Sequence, residues 1–76
     1  MNKEFLLKFG NICIALSTNE TGVTLAFTDE DTSTSITCIN AVSQDLLYLT
    51  RRFNIDVDDL TKWFKENDIE ILDLLP

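Results

Sequence analysis

The sequence has no histidine, one proline, two glycines and two cysteines in 76 residues. Without an imidazole, every mechanism that needs a histidine base is closed, as is every histidine-containing zinc site. Two cysteines cannot close a zinc site by themselves. Two glycines leave no phosphate-cradling loop. Positive charge is scarce as well. Six Lys/Arg stand against thirteen Asp/Glu, a formal net charge of −7, and the pI is about 4.2. Phosphate neutralisation takes Lys and Arg in quantity, so the balance speaks against a free-standing nucleic-acid binder. No apolar run approaches the roughly 18–20 residues that cross a bilayer. Phe5-Leu6-Leu7-Lys8-Phe9-Gly10-Asn11 is broken by Lys8 and Asn11, and its flank Met1-Asn2-Lys3-Glu4 is not net basic. No signal peptide and no membrane partner are expected, and the chain reads as cytoplasmic.

Apolar residues make up 45% of the chain. That suffices for a globular domain and is too much for a disordered acidic tail. One domain over residues 1–76 fits the length, with a β-meander over 1–40, a helical hairpin over 41–67 and a short strand or tail over 68–76.

The first forty residues read as strands. Phe5, Leu7 and Phe9 alternate with Leu6 and Lys8, and Ile12, Ile14 and Leu16 alternate with Cys13, Ala15 and Ser17. Gly10-Asn11 between them suits a type II′ hairpin turn, whose first central position needs positive φ. Thr18-Asn19-Glu20-Thr21-Gly22 is the next turn cluster. Val23, Leu25 and Phe27 then alternate, Asp29-Glu30-Asp31-Thr32-Ser33 interrupts, and Thr34 to Ile39 is a short β-branched strand. Cys13 and Cys38 each fall inside a strand, read as reduced and partly buried small hydrophobes, with a disulfide stapling the sheet as the lesser alternative, since cytosolic disulfides are rare. Asn19-Glu20-Thr21 matches a glycosylation sequon, a signal without meaning in a chain that is not secreted.

The pattern changes at Asn40, which predicts an N-cap. Val42, Leu46, Leu49 and Phe53 form one face of a helix, widened by Leu47 and Tyr48. Arg51 and Arg52 complement the dipole of its last turn. Asn54-Ile55 is the turn. Asp56 caps a second helix with Asp58 and Asp59 in its first turn, Val57, Leu60 and Phe64 as its apolar stripe and Trp63 beside it. Asn67-Asp68 ends it. Ile69 to Leu72 alternates like a short last strand, and Leu72, Leu74 and Leu75 read alternatively as a tail on the sheet. The fold expected is α+β: a four-stranded antiparallel meander covered by two C-terminal helices, with a short last strand as an option.

Within residues 46–65, Leu49, Phe53, Ile55, Leu60 and Trp63 fall where a helix-turn-helix unit places its core. The stretch Arg52 to Asn67 resembles the turn and second helix of bacterial and phage regulators of that superfamily. Asn54 stands where the family has Gly, and Asn tolerates the left-handed conformation. Thr50 stands where a small Ala is usual. The resemblance covers about a quarter of the chain. It implies that the first residues of the second helix meet base edges and phosphates. Here those residues are Asp56, Asp58 and Asp59, which repel a polyanion, and Lys62 and Lys65 offset only two of them. The same packing used as a scaffold is the stronger expectation, and direct nucleic-acid binding is not favoured.

From Asn54 to Pro76, seven acids face two lysines, so this stretch holds −5 of the total −7. Asp56, Asp58 and Asp59 suit a helix N-terminus, and the rest can simply solvate the surface. The alternative is an acidic face that docks onto a basic one. In size and charge the chain is similar to small acidic inhibitors of phages and mobile elements, anti-CRISPR and anti-restriction proteins among them, in type and not in motif. Asn54, Asp56 and Asp58 occupy positions one, three and five of a calcium loop. Asp59 replaces its glycine and Lys65 its final glutamate, so no metal is expected. Trp63 and Phe64 are adjacent and cannot both face one core. Phe64 is assigned to the core and Trp63 to its edge, as an anchor for a partner. Leu6 and the Leu74-Leu75 tail are further apolar contacts.

No catalytic residues or cofactor are expected. The leading expectation is a non-enzymatic inhibitor that docks through Asp56, Asp58, Asp59, Trp63, Glu66 and Asp68 onto a protein with a basic surface and blocks nucleic-acid access there. A helix-turn-helix regulator, and a dimerisation module pairing through a sheet edge, remain the alternatives.

Overall fold

Alternating apolar residues joined by links of two to four residues leave antiparallel neighbours as the only strand partners within reach. The computed structural model describes residues 3–76 apart from the side chain of Leu72, so the expected tail role of Leu72 lies outside the described residues. Strands β1 (Lys3–Phe9), β2 (Ile12–Asn19), β3 (Gly22–Asp29) and β4 (Thr34–Cys38) lie in the sheet in chain order. Phe9 faces Ile12 across the first link, with Gly10 at φ +62° and Asn11 at negative φ, the backbone signs of a type II′ turn. At the second link the Asn19 side chain accepts from the Thr21 and Gly22 amides at 2.8 and 3.0 Å. The third link is closed by Asp29, whose carboxylate accepts from the Asp31 amide at 2.9 Å.

Period two sends every second side chain to one face. Ile12, Ile14 and Leu16 of β2 and Val23, Leu25 and Phe27 of β3 are buried there. Phe5, Leu7 and Phe9 of β1 and Ile36 and Cys38 of β4 flank them, half-buried. Two helices, α1 (Ser43–Arg52) and α2 (Val57–Glu66), contribute Leu46, Leu49, Leu60 and Phe64 to the same core. Each such side chain stabilises the fold by about 1.5–3 kcal/mol. Phe53 reaches Phe27 with ring centroids 5.8 Å apart. The fold is therefore the α+β arrangement expected, and Cys13 and Cys38 are free and half-buried on their strands.

Four local expectations are corrected. Asn40 is not the cap of α1. It takes φ +54°, the left-handed turn that short polar side chains tolerate. The next amide, Ala41, donates to the Val23 carbonyl at 2.7 Å. The helix starts two residues later with Val42 at the N-cap position. Val42 has no side-chain acceptor, so only the reciprocal half of a capping box exists: Asp45 accepts from the Val42 amide at 2.9 Å. Second, Leu47 and Tyr48 do not widen the buried stripe. They are 41% and 52% exposed, because α1 touches the core along one narrow face. Third, no strand forms over Ile69 to Leu72. Ile71 to Leu74 is a helical turn, α3, which puts Ile71 and Leu75 one turn apart and buries both. Fourth, Leu75 is thereby a core residue and not a free apolar contact; Leu74 stays exposed. The Pro76 carbonyl accepts from the Ser43 amide at 3.3 Å and ties the tail to the start of α1.

Candidate functional site

The acidic surface is built around α2. Asp56 caps that helix: its carboxylate accepts from the Asp58 and Asp59 amides at 2.9 and 3.1 Å. That oxygen is therefore engaged inside the protein. Asp58 and Asp59 follow in the first turn, exposed, where the helix dipole favours anions. Glu66 and Asp68 lie at the other end of the ten-residue helix, about 15 Å away. The six expected contact residues thus run the length of α2 instead of forming one cluster.

Helical spacing splits them further. Asp59, Trp63 and Glu66 fall at i, i+4 and i+7 and share one stripe. Asp58 falls on the neighbouring stripe with Lys62 and Lys65. This second stripe, with Thr61, forms one wall of an open groove of about 430 Å³; Ile69, Glu70 and Ile71 form the other. Asp68 instead lines a smaller cleft of about 210 Å³ between β1 and α3, with Lys3, Phe5, Glu70 and Asp73. Glu70 and Asp73 are absent from the expected site. In the helical turn Glu70 lines both hollows and Asp73 the smaller one beside β1.

Trp63 sits at the edge of the core, as expected of it, and Phe64 is fully buried. The indole meets Phe9 edge-on at 5.5 Å and Phe64 at 5.6 Å. Edge-to-face pairs of this kind add about 0.5–1.5 kcal/mol each, so Trp63 braces α2 against β1 while keeping part of its surface open.

All seven carboxylates between Asn54 and Pro76 are exposed. Among the described residues, the one ion pair joins Lys8 to Glu30 at 2.7 Å, on the side of the sheet away from the helices. Its surroundings shift three groups. The Lys8 ammonium, bonded to Glu30, holds that carboxyl below its usual range, helped by a bond from the Cys13 thiol at 3.3 Å. The Glu30 carboxylate raises both Lys8 and Cys13 above their ordinary values. Cys38 is raised chiefly by burial. A thiol held protonated beside a carboxylate is a poor nucleophile. Among the described residues no group of three or more Cys, Asp or Glu is arranged to hold a metal ion. Nor is any helix long and apolar enough to cross a membrane.

Fold and surface together define a two-layer α+β domain with an acidic helical layer. No protein-family model, no curated protein and no solved structure matches this chain.

Proposed function

We propose that this protein is a non-enzymatic, cytoplasmic binding module whose helical layer docks onto a basic surface of another protein. Where that surface is a nucleic-acid-binding cleft, the carboxylates take the place of phosphates and the bound protein blocks access, in the manner of a small phage or mobile-element inhibitor. One observation carries the reading: seven exposed carboxylates on the C-terminal stretch, with only Lys62 and Lys65 to balance them and no ion pair among them. A field of one sign steers association with the opposite sign. Trp63, between Asp59 and Glu66 on one stripe, supplies the aromatic anchor of such a contact, and the two acids lie at its rim.

The test uses an arginine-rich peptide and a DNA duplex as probes in titration calorimetry. The peptide binds at low salt and weakens steadily as salt rises, and the duplex does not bind. Asp58→Lys with Asp59→Lys, folded by circular dichroism, lowers peptide affinity at least tenfold. Unchanged affinity in that variant removes the proposal. Binding of the duplex at low salt transfers support to the helix-turn-helix alternative, in which α2 would have to enter a groove with Asp58 and Asp59 leading.

A further inference from the structure

In a meander ordered β1-β2-β3-β4, β1 is an edge strand. Residues flanking a two-residue hairpin link exchange both backbone hydrogen bonds, and the pattern repeats at every second residue. Phe9, Leu7, Phe5 and Lys3 therefore bond inward to Ile12, Ile14, Leu16 and Thr18. The amides and carbonyls of Glu4, Leu6 and Lys8 point to the open edge. No turn, loop or cap hydrogen bond among the described residues reaches them. β1 is seven residues long, without proline or bulge and paired to β2 along its whole length; the charges it carries, Lys3, Glu4 and Lys8, are its only edge protection.

The side chains on that edge are self-complementary. Glu4 and Lys8 lie at equal distances on either side of Leu6. A second β1, antiparallel and centred on Leu6, sets Leu6 against Leu6, Glu4 against Lys8 twice over, and Phe5 against Leu7 twice over. Opposite charges and paired apolar residues directly across a ladder are the favourable combinations. The residues that meet as bonded pairs in this register, Glu4, Leu6 and Lys8, are the three whose backbone groups are unused. Six new hydrogen bonds close the ladder. Leu6, 78% exposed, is the most exposed large hydrophobic among the described residues and lies at the centre. The strand carries Lys3 and Lys8 against Glu4, a net +1 in a chain of −7, so it holds none of the chain's negative surplus. The β4 edge is five residues of Thr, Ser, Ile, Thr and Cys, without such charges.

We propose that β1 pairs with β1 of a second copy, joining two four-stranded sheets into one of eight strands. A two-fold axis through Leu6 closes the assembly at two chains. This inference rests on the edge and not on the acidic helical layer, and its test is separate. Sedimentation should show a concentration-dependent dimer. Glu4→Lys alone, and Lys8→Glu alone, put like charges opposite each other at two places and should each weaken dimerisation about tenfold. The double swap Glu4→Lys, Lys8→Glu restores opposite pairs and should recover most of the loss. Both side chains are exposed, but Lys8→Glu also breaks the ion pair with Glu30 and sets two carboxylates side by side, so Glu4→Lys is the cleaner reversal, and circular dichroism checks the fold of each variant. In hydrogen exchange the amides of Glu4, Leu6 and Lys8 should slow as concentration rises, whereas those of Phe5, Leu7 and Phe9 are slow throughout. A monomer at millimolar concentration overturns the proposal. So does a dimer in which the single reversals change nothing, since that dimer uses another surface.

Discussion

The Ile69 amide donates to the Phe64 carbonyl at 2.9 Å, and both side chains are buried. Between them Asp68 takes φ +62°, with its own amide bonded to the Lys65 carbonyl at 3.0 Å. This is a Schellman ending, in which the backbone turns left-handed and an apolar residue folds back over the last turn. Helix α1 closes in the same way: Ile55 donates to Thr50 at 2.7 Å across Asn54 at φ +57°. Neither left-handed residue is glycine.

Asp68 is the costlier of the two. Its charge sits at a helix C-terminus, where anions are disfavoured, and its Cβ opposes the left-handed turn. Asp68→Gly is expected to raise stability by up to about 1 kcal/mol, and Asp68→Asn by a smaller amount. Asn54→Gly gains less, because Asn already suits the position. Urea denaturation of the three variants checks the order.

The opposite end of α2 depends on one oxygen. Asp56 satisfies two amides of the first turn, so Asp56→Ala is expected to cost about 1 kcal/mol. Asp56→Asn keeps an acceptor and should cost much less. Thermal melts of the pair distinguish capping from a general effect of removing negative charge, which would make the two alike.

Gly22 is constrained by tertiary contact. It lies at φ +150°, and a Cβ there would stand 3.2 Å from the Asn40 side-chain oxygen and 3.7 Å from its Cα. Gly22→Ala is therefore expected to be destabilising by more than the ~1 kcal/mol of an ordinary loop glycine. Gly10→Ala meets open space and is strained only by its φ of +62°. Denaturant midpoints should place Gly22→Ala below Gly10→Ala.

Glu30 links pH to both stability and thiol chemistry. Its carboxyl is held below the usual value of 4.5, chiefly by the bond from Lys8. A lowered folded value means stabilisation that is present above the unfolded pKa and is lost as pH falls through the folded one. Wild type and Glu30→Ala should therefore differ at neutral pH and converge in acid. The same substitution removes the main cause that raises Cys13, leaving burial to raise it and Lys8 to oppose. Alkylation of Cys13 by iodoacetamide at pH 8 should become faster. An unchanged rate would show that the carboxylate does not hold the thiol.

Much of this molecule was legible from local pattern. The alternation of Phe5, Leu7 and Phe9 and of Ile12, Ile14 and Leu16 needs no tertiary information, because side-chain direction in a strand is a two-residue property. The cap at Asp56 and the left-handed Asn54 are likewise one-turn effects. Asn40 misled for a related reason: a short polar side chain serves a cap and a left-handed turn equally well, and only the path of the chain from β4 chose between them. In the candidate site, the first-turn acids Asp58 and Asp59 and their distance along α2 from Glu66 were readable, and the placing of Asp58 and Asp68 in two different hollows was not.

The sequence by itself determined four paired strands, two amphipathic helices and a surplus of negative charge. Their causes act within a few residues along the chain. The tertiary structure alone decided that Ile71 begins a helical turn, that Asp68 and Glu70 face β1, and that Glu4, Leu6 and Lys8 have unused backbone groups at an edge. Those outcomes depend on which distant segments meet, and packing of the whole core settles that.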